Sequence, residues 1–142
     1  MITLDMTAAM AELNAMLART ANLKPVLHAI GELEANKVRA RIQSTKIDPY
    51  DSEWAPWAPF TAIQRALKGN VAQGLLWDTG ALLNSFVVES TIASVTIGTP
   101  VSYAEGLQFG DARMPAREFM GWNDSDFPII EALVIKYMEL GI

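Results

Sequence analysis

The chain lacks cysteine altogether and contains a single histidine, His28, among its 142 residues. Without cysteine, disulfide bonds, thiolate nucleophiles, iron–sulfur clusters and cysteine-ligated zinc sites are excluded. One histidine excludes sites built from several imidazoles and leaves His28 as the single candidate for imidazole acid–base chemistry. The sequence therefore lacks most of the side chains on which metal-, thiol- and histidine-dependent enzymes rely.

Positive charge and long apolar runs are also scarce. Eleven Lys and Arg stand against 16 Asp and Glu, which gives a net charge of −5, and residues 72–142 hold only three of the bases but nine of the acids. This sign is opposite to that of proteins that neutralise phosphates. No run approaches the roughly 18–20 apolar residues of a spanning helix, and the first ten residues lack the basic start of a signal peptide. We therefore expect a soluble protein that neither grips DNA nor enters a membrane.

What the sequence does contain is enough apolar material for a folded domain. Hydrophobic residues make up 51% and charged residues 19% of the chain, and its length is typical of one domain. We predict a single domain, residues 1–142, in four segments: N-terminal helices (1–45), a Trp/Pro-rich loop with a short helix (46–74), a β-sheet region (75–122) and a C-terminal helix (123–142).

Two apolar stripes with three- and four-residue spacing predict helices in the first segment. One lies within residues 5–19 and the other within residues 25–44, where Pro25 suits a first helical turn. Both are typical of an αα-hairpin or a long bent helix that docks on a core. The first stripe comprises Met6, Met10, Leu13, Met16 and Leu17.

The loop that follows is rich in aromatic residues and helix breakers. It contains Trp54 and Trp57, with Pro56 and Pro59 favouring extended backbone around them. The two tryptophans either cover the edge of the core or form an exposed binding feature, since tryptophan is concentrated at interface hot spots. Residues 61–68 are then predicted to form a short helix that turns Ile63 and Leu67 inward.

The third segment is predicted to contain a β-hairpin. Residues 82–91 and 95–97 have strand character and flank a turn at Ala93-Ser94, and residues 117–122 alternate enough for a further strand. A final helix begins near residue 123. The fold class is therefore α+β, with N-terminal helices and a C-terminal helix packed on a small antiparallel β-sheet.

None of the weak constellations of polar residues indicates catalysis. His28 with Glu32 and Glu34 is typical of a solvated helix face, and Asp124 with Asp126 suits a helix N-terminus. Ser85 has no G-x-S-x-G context and no plausible histidine partner, so a catalytic triad is not indicated. No Gly-rich stretch has the spacing of a phosphate loop. The basic run at Lys37, Arg39, Arg41 and Lys46 is interpreted as a solvated face. We predict no enzyme activity, no catalytic residues, no metal and no cofactor.

Four sequence blocks follow one another in a fixed order. They are Pro49-Tyr50-Asp51-Ser52-Glu53-Trp54-Ala55-Pro56-Trp57 with Pro59 and Thr61; Leu76 with Thr79-Gly80, Leu82 and Ser85; Ile97-Gly98-Thr99, Tyr103-Ala104 and Gln108-Phe109-Gly110; and Pro115-Ala116-Arg117 with Phe119 and Gly121. In this order the blocks resemble the phage virion morphogenesis family, the tail-completion proteins of Mu-like contractile-tailed phages. The resemblance spans roughly residues 20–140. Ser52, Glu105-Gly106-Leu107 and Glu118 depart from the family pattern.

The resemblance implies a structural subunit of the virion at the head–tail junction, present in the host cytoplasm during assembly. It implies a homo-oligomeric ring, commonly a hexamer, whose partners are the tail tube or terminator and head-completion or neck proteins. DNA would pass through without specific binding. Candidate interface residues are Trp54, Trp57, Phe109 and Arg117, the last expected to pair with a carboxylate or to contact a partner. The alternative is a small adaptor domain whose Trp/Pro loop holds a peptide or a glycan.

Overall fold

The computed structural model describes residues 3–141 and confirms the α+β class. Helix α2 is the central element: the sheet and the C-terminal helix pack against it, and the first helix packs against the C-terminal one. The elements in chain order are α1 (Thr7–Ala21), α2 (Lys24–Ala40), α3 (Pro59–Lys68), β1 (Val87–Ser90), β2 (Val95–Gly98), α4 (Ala104–Phe109) and α5 (Phe127–Leu140).

The sheet is an antiparallel hairpin in which Val87 pairs with Gly98 and Ser90 pairs with Val95. It packs on α2 at Gly31, where an added Cβ would lie 2.4 Å from Val88 Cγ1 and 2.6 Å from a methyl of Val95. The glycine that interrupts the apolar pattern of α2 is therefore the point of closest approach between helix and sheet. Because any side chain would displace the hairpin, only glycine fits there.

Two apolar clusters lie on opposite ends of α2. The first half of α2 packs on α5 through Val26, Ile30 and Tyr137, whose hydroxyl donates to the carbonyl of Asn22 at 2.6 Å. The second half enters the main core, which the loops and short elements complete. The buried members of that core are Val38, Ile42, Trp54, Leu82, Leu83, Phe86, Ala104 and Phe119.

Most of residues 75–122, the predicted β-sheet region, lie outside the sheet. The first strand starts at Val87 instead of residue 82, because residues 81–84 form a turn, and α4 follows the hairpin directly. The predicted strand at 117–122 is wrong: this segment forms no strand among the described residues. The Gln108 side chain replaces a strand partner, since its Oε1 accepts from the backbone N–H groups of Phe119 (3.0 Å) and Met120 (3.1 Å). Its Nε2 donates to the Met120 carbonyl at 2.7 Å.

Helix α1 is attached to the rest of the chain near its end only. None of its residues from Thr7 to Ala21 is buried, and Met16 and Arg19 alone are partly covered. Arg19 Nη1 donates to the carbonyls of Met138 (2.6 Å) and Glu139 (2.9 Å) at the C-terminus of α5. The helix is present as predicted, but the prediction that its apolar stripe docks on the core is wrong.

None of the helices within residues 3–141 is long and apolar enough to cross a membrane.

Candidate functional site

The two tryptophans of the Trp/Pro loop have different environments. Trp54 is 7% exposed and lies in the main core, and its indole Nε1 donates to the Glu118 carbonyl at 2.7 Å. Trp57 is half-buried, and its ring stacks on the guanidinium of Arg65, with 4.9 Å between the Arg65 Cζ and the ring centroid. Trp54 therefore attaches the loop to the core, whereas Trp57 remains accessible at the surface.

Arg117 is buried, and its hydrogen bonds connect two loops. Its Nε donates to the Ala55 carbonyl and its Nη2 to the Pro56 carbonyl, each at 2.8 Å. Desolvation lowers the pKa of this guanidinium from its usual value, although arginine stays charged in proteins. The expected carboxylate partner is replaced by these two carbonyls, and the segment that Arg117 anchors is the Trp/Pro loop.

A cleft of about 750 Å³ opens beside this loop. Trp57, Arg65, Tyr103 and Arg113 contribute to its walls, so the lining combines aromatic rings with guanidinium groups. Arg65 is buried and fully engaged with Asp78 and the carbonyls of Gly74 and Trp77, which leaves the exposed Arg113 as the cation that can face a ligand.

Phe109 ends α4 and is 72% exposed. The assignment of Trp54, Trp57, Phe109 and Arg117 to subunit contacts stays a prediction. Their exposure favours Phe109 and Trp57, because the side chains of Trp54 and Arg117 are already enclosed by their own chain.

Helix α3 has its apolar side turned outward. Sequence periodicity predicted that Ile63 and Leu67 point inward, but they are 58% and 78% exposed, and Phe60 is 72% exposed. The buried residue is Arg65, whose hydrogen bonds to two carbonyls and Asp78 hold the helix on the body. We call Phe60, Ile63 and Leu67 the α3 stripe.

A second exposed stripe lies on α1. Met6, Met10, Leu13 and Leu17 follow one another at spacings of four, three and four residues, and each is at least half exposed. We call these four residues the α1 stripe. Exposed apolar patches of this kind mark interaction surfaces in proteins that function as assemblies.

The basic run at Lys37, Arg39, Arg41 and Lys46 is not a solvated face. Arg41 is 9% exposed and donates to the Phe119 carbonyl at 3.0 Å. Lys46 donates to the carbonyls of Gln73 (2.7 Å) and Leu75 (2.9 Å), and desolvation followed by the charge of Arg65 lowers its pKa. These cations satisfy backbone carbonyls of the fold, so they are not free to contact phosphates.

The acidic and histidine constellations do not form a metal site. Residues 3–141 contain no group of three or more His, Asp or Glu side chains placed to hold a metal. His28 is exposed and 3.8 Å from Glu32. Asp126 is buried instead of solvated, and forms an ion pair with Lys37 beside Glu34, which joins α2 to the start of α5.

This cluster predicts a pH dependence of stability. Burial, and then the charge of Asp126, raises the pKa of Glu34 above its ordinary value of 4.5, while Lys37 opposes the shift. Because the folded state holds this proton more tightly than the unfolded state, the contribution of Glu34 favours folding at low pH and is lost as pH rises above 4.5 through the raised pKa. We expect Glu34→Gln to remove this fall in the free energy of unfolding, as measured by urea denaturation from pH 4.5 to 8. Glu32→Gln, on the exposed face of the same helix, should keep the wild-type slope; equal slopes for all three proteins would contradict the assignment.

The sequence did not single out Arg65 or Gln108, although both organise the site. Arg65 lies in a helical pattern that predicts a solvent-facing cation, and nothing local shows that Asp78 and two carbonyls surround it. Gln108 lies within one of the four sequence blocks, and that was the available signal for its role.

Comparison with known proteins gives one family. The model of one protein family, described as the phage virion morphogenesis family, matches residues 4–139. No curated protein and no solved structure shows a significant match to the chain.

Proposed function

The chain belongs to the phage virion morphogenesis family and has a structural role in phage assembly, and we propose that it completes the tail or joins the tail to the head. In this role it forms a homo-oligomeric ring at the neck, between the tail tube or terminator and the head-completion proteins. The α1 and α3 stripes are the observation that carries this proposal. The seven large apolar side chains of these stripes are each at least half exposed, and burial of such side chains is what drives assembly.

The lack of a metal cluster among the described residues fits a subunit that acts by docking. The charge distribution fits the passage of DNA. Most basic side chains of the chain donate to its own carbonyls and carboxylates, while nine acidic residues lie within residues 72–142. A channel lined by like charge lets a duplex slide, because it offers no counter-charge to the phosphates. A ring reconstruction with these carboxylates on its outer wall would contradict this part of the proposal.

Deletion of the coding gene from the phage, with complementation from a plasmid, tests the function. We expect filled heads and completed tails that fail to join, or tails of uncontrolled length, in electron micrographs of the deletion lysate. An epitope tag on the complementing copy should label the neck. Normal joined particles in the deletion lysate, or label on the capsid or the distal tail end, would contradict the proposal.

The cleft beside Trp57 favours a second candidate, a binding module for a peptide segment of another protein. Its volume of about 750 Å³ lies within the range of ligand pockets, and Arg113 offers an exposed cation for an acidic residue. Trp57→Ala with Arg113→Glu should abolish capture of that partner without changing self-association if the cleft is used in this way. If the double variant still captures the partner, the second candidate is wrong.

A further inference from the structure

The α1 stripe and the α3 stripe lie on different helices that make no extended contact with each other in one chain. We propose that the α1 stripe of one copy packs along the α3 stripe of the next copy, so that these two helices form the repeating contact of the assembly. This inference deepens the proposed ring and rests on it.

The spacing of the two stripes is matched. In the α1 stripe the steps are four, three and four residues, and in the α3 stripe they are three and four. Apolar residues at alternating three- and four-residue steps form the seam of two helices that pack side by side at a small crossing angle. At 1.5 Å rise per residue, the α1 stripe is about 16 Å long and the α3 stripe about 10 Å long, so the longer stripe can cover the shorter one.

The charges on the two helices are complementary. Helix α1 is preceded by Asp5 and carries Glu12, while its base, Arg19, is turned onto the carbonyls of α5. Helix α3 has no acidic residue and contains Lys68, which pairs with Asp78 at 3.3 Å while its side chain stays 58% exposed, and the exposed Arg113 lies in the adjoining cleft. Two α1 helices would bring acid against acid, whereas α1 against α3 brings acid against base. The favoured occupant of the α3 stripe is therefore α1 of a second copy.

The way in which α1 is attached to its own chain also supports a contact with a second copy. It is held near its end, through Arg19, and its residues 7–15 are all exposed to solvent. A helix of 15 residues is marginal in water by itself, and contact with a neighbouring copy would stabilise it. Because the contact joins two different patches, a copy that offers its α1 stripe to one neighbour still has its α3 stripe for another, so the contact can repeat around a ring.

Two variants and their mixture test the contact. Leu13→Glu damages the α1 stripe and leaves the α3 stripe intact, and Ile63→Glu does the reverse. Burying a charge in place of Leu or Ile should weaken self-association by about tenfold or more in sedimentation experiments. An equimolar mixture should form a 1:1 heterodimer, since one intact α1 stripe and one intact α3 stripe remain. Ile92→Glu, at an exposed apolar site in the hairpin loop, is the matched control and should assemble as wild type.

A disulfide trap gives an independent readout, because the chain has no cysteine of its own. We expect a mixture of Leu13→Cys and Ile63→Cys chains to form a crosslinked dimer under mild oxidation, and a mixture of Leu13→Cys and Ile92→Cys chains to form none. Helical content by circular dichroism should stay close to that of the wild type in the three cysteine variants.

The possible results separate this contact from the proposed function. An Ile63→Glu chain that still self-associates would show α1 pairing with α1 or another surface and would overturn the contact. A wild-type oligomer unaffected by both variants would overturn the contact and leave the ring in place. A wild-type chain that stays monomeric and gives no Leu13–Ile63 crosslink would overturn the contact, while the deletion phenotype would still decide the role in tail completion or joining.

Discussion

Replacing Trp54 by alanine should lower the free energy of unfolding by about 3–5 kcal/mol, the usual cost of removing a buried indole from a packed core. The side chain is 7% exposed and lies in the same cluster as Ile42 and Phe119. Its loss also leaves the Glu118 carbonyl without its hydrogen-bond donor. Urea denaturation followed by circular dichroism measures the difference. It is a large share of the 5–15 kcal/mol that stabilises a typical domain.

The matched variant is Trp57→Ala, three residues along the same loop. It removes a surface ring stacked on Arg65 and should cost about 1–2 kcal/mol, since its main loss is a cation–π contact and partial burial. Equal losses for the two variants would contradict the different roles that the structure assigns to them. A larger loss for Trp57→Ala would mean that the loop is anchored from its exposed side.

Replacing Gln108 by leucine is the second change with a large expected effect. Leucine has a similar volume but cannot bind the backbone of residues 119–120, so two N–H groups and one carbonyl lose their partner. Because these unpaired groups are shielded from water, we expect the free energy of unfolding to fall by about 2–4 kcal/mol in total. Hydrogen exchange should also show faster exchange of the Phe119 and Met120 amides.

Glu105→Leu is the control for that variant, because it makes a comparable change on the exposed side of α4. It should change the free energy of unfolding by less than about 0.5 kcal/mol. If Gln108→Leu were as mild as Glu105→Leu and left the two amides protected, then something other than Gln108 would hold the segment.

Much of the fold follows from local pattern. The helices α1, α2 and α5 and the β-hairpin are present close to where their spacing predicts them, because 3.6- and 2-residue periods are properties of short stretches of chain. The family, too, was recognisable from four short blocks in order, and the family match covers nearly the whole chain. The errors have a common origin in long-range contacts. The segment 117–122 alternates like a strand, but the partner that it meets is the side chain of Gln108 and not another backbone.

The candidate surfaces were predicted less well than the fold. Sequence composition treated Trp54 and Trp57 alike, yet one is in the core and the other stacks at the surface. It treated the basic run from Lys37 to Lys46 as solvated, yet Arg41 and Lys46 bind carbonyls of distant segments. A side chain's partner depends on which segments converge on it, and that information is not in the residue's neighbours along the chain.

By itself, the sequence determined that this protein has no thiol chemistry, carries its acidic excess in its second half, forms amphipathic helices and belongs among phage assembly proteins. Tertiary structure alone decided which side of each helix is covered. An apolar stripe has the same period whether its own chain or a neighbour buries it, so periodicity could not show that the stripes of α1 and α3 face solvent. That outcome depends on where Arg19 and Arg65 attach their helices, and both attachments reach carbonyls far from the stripe they orient.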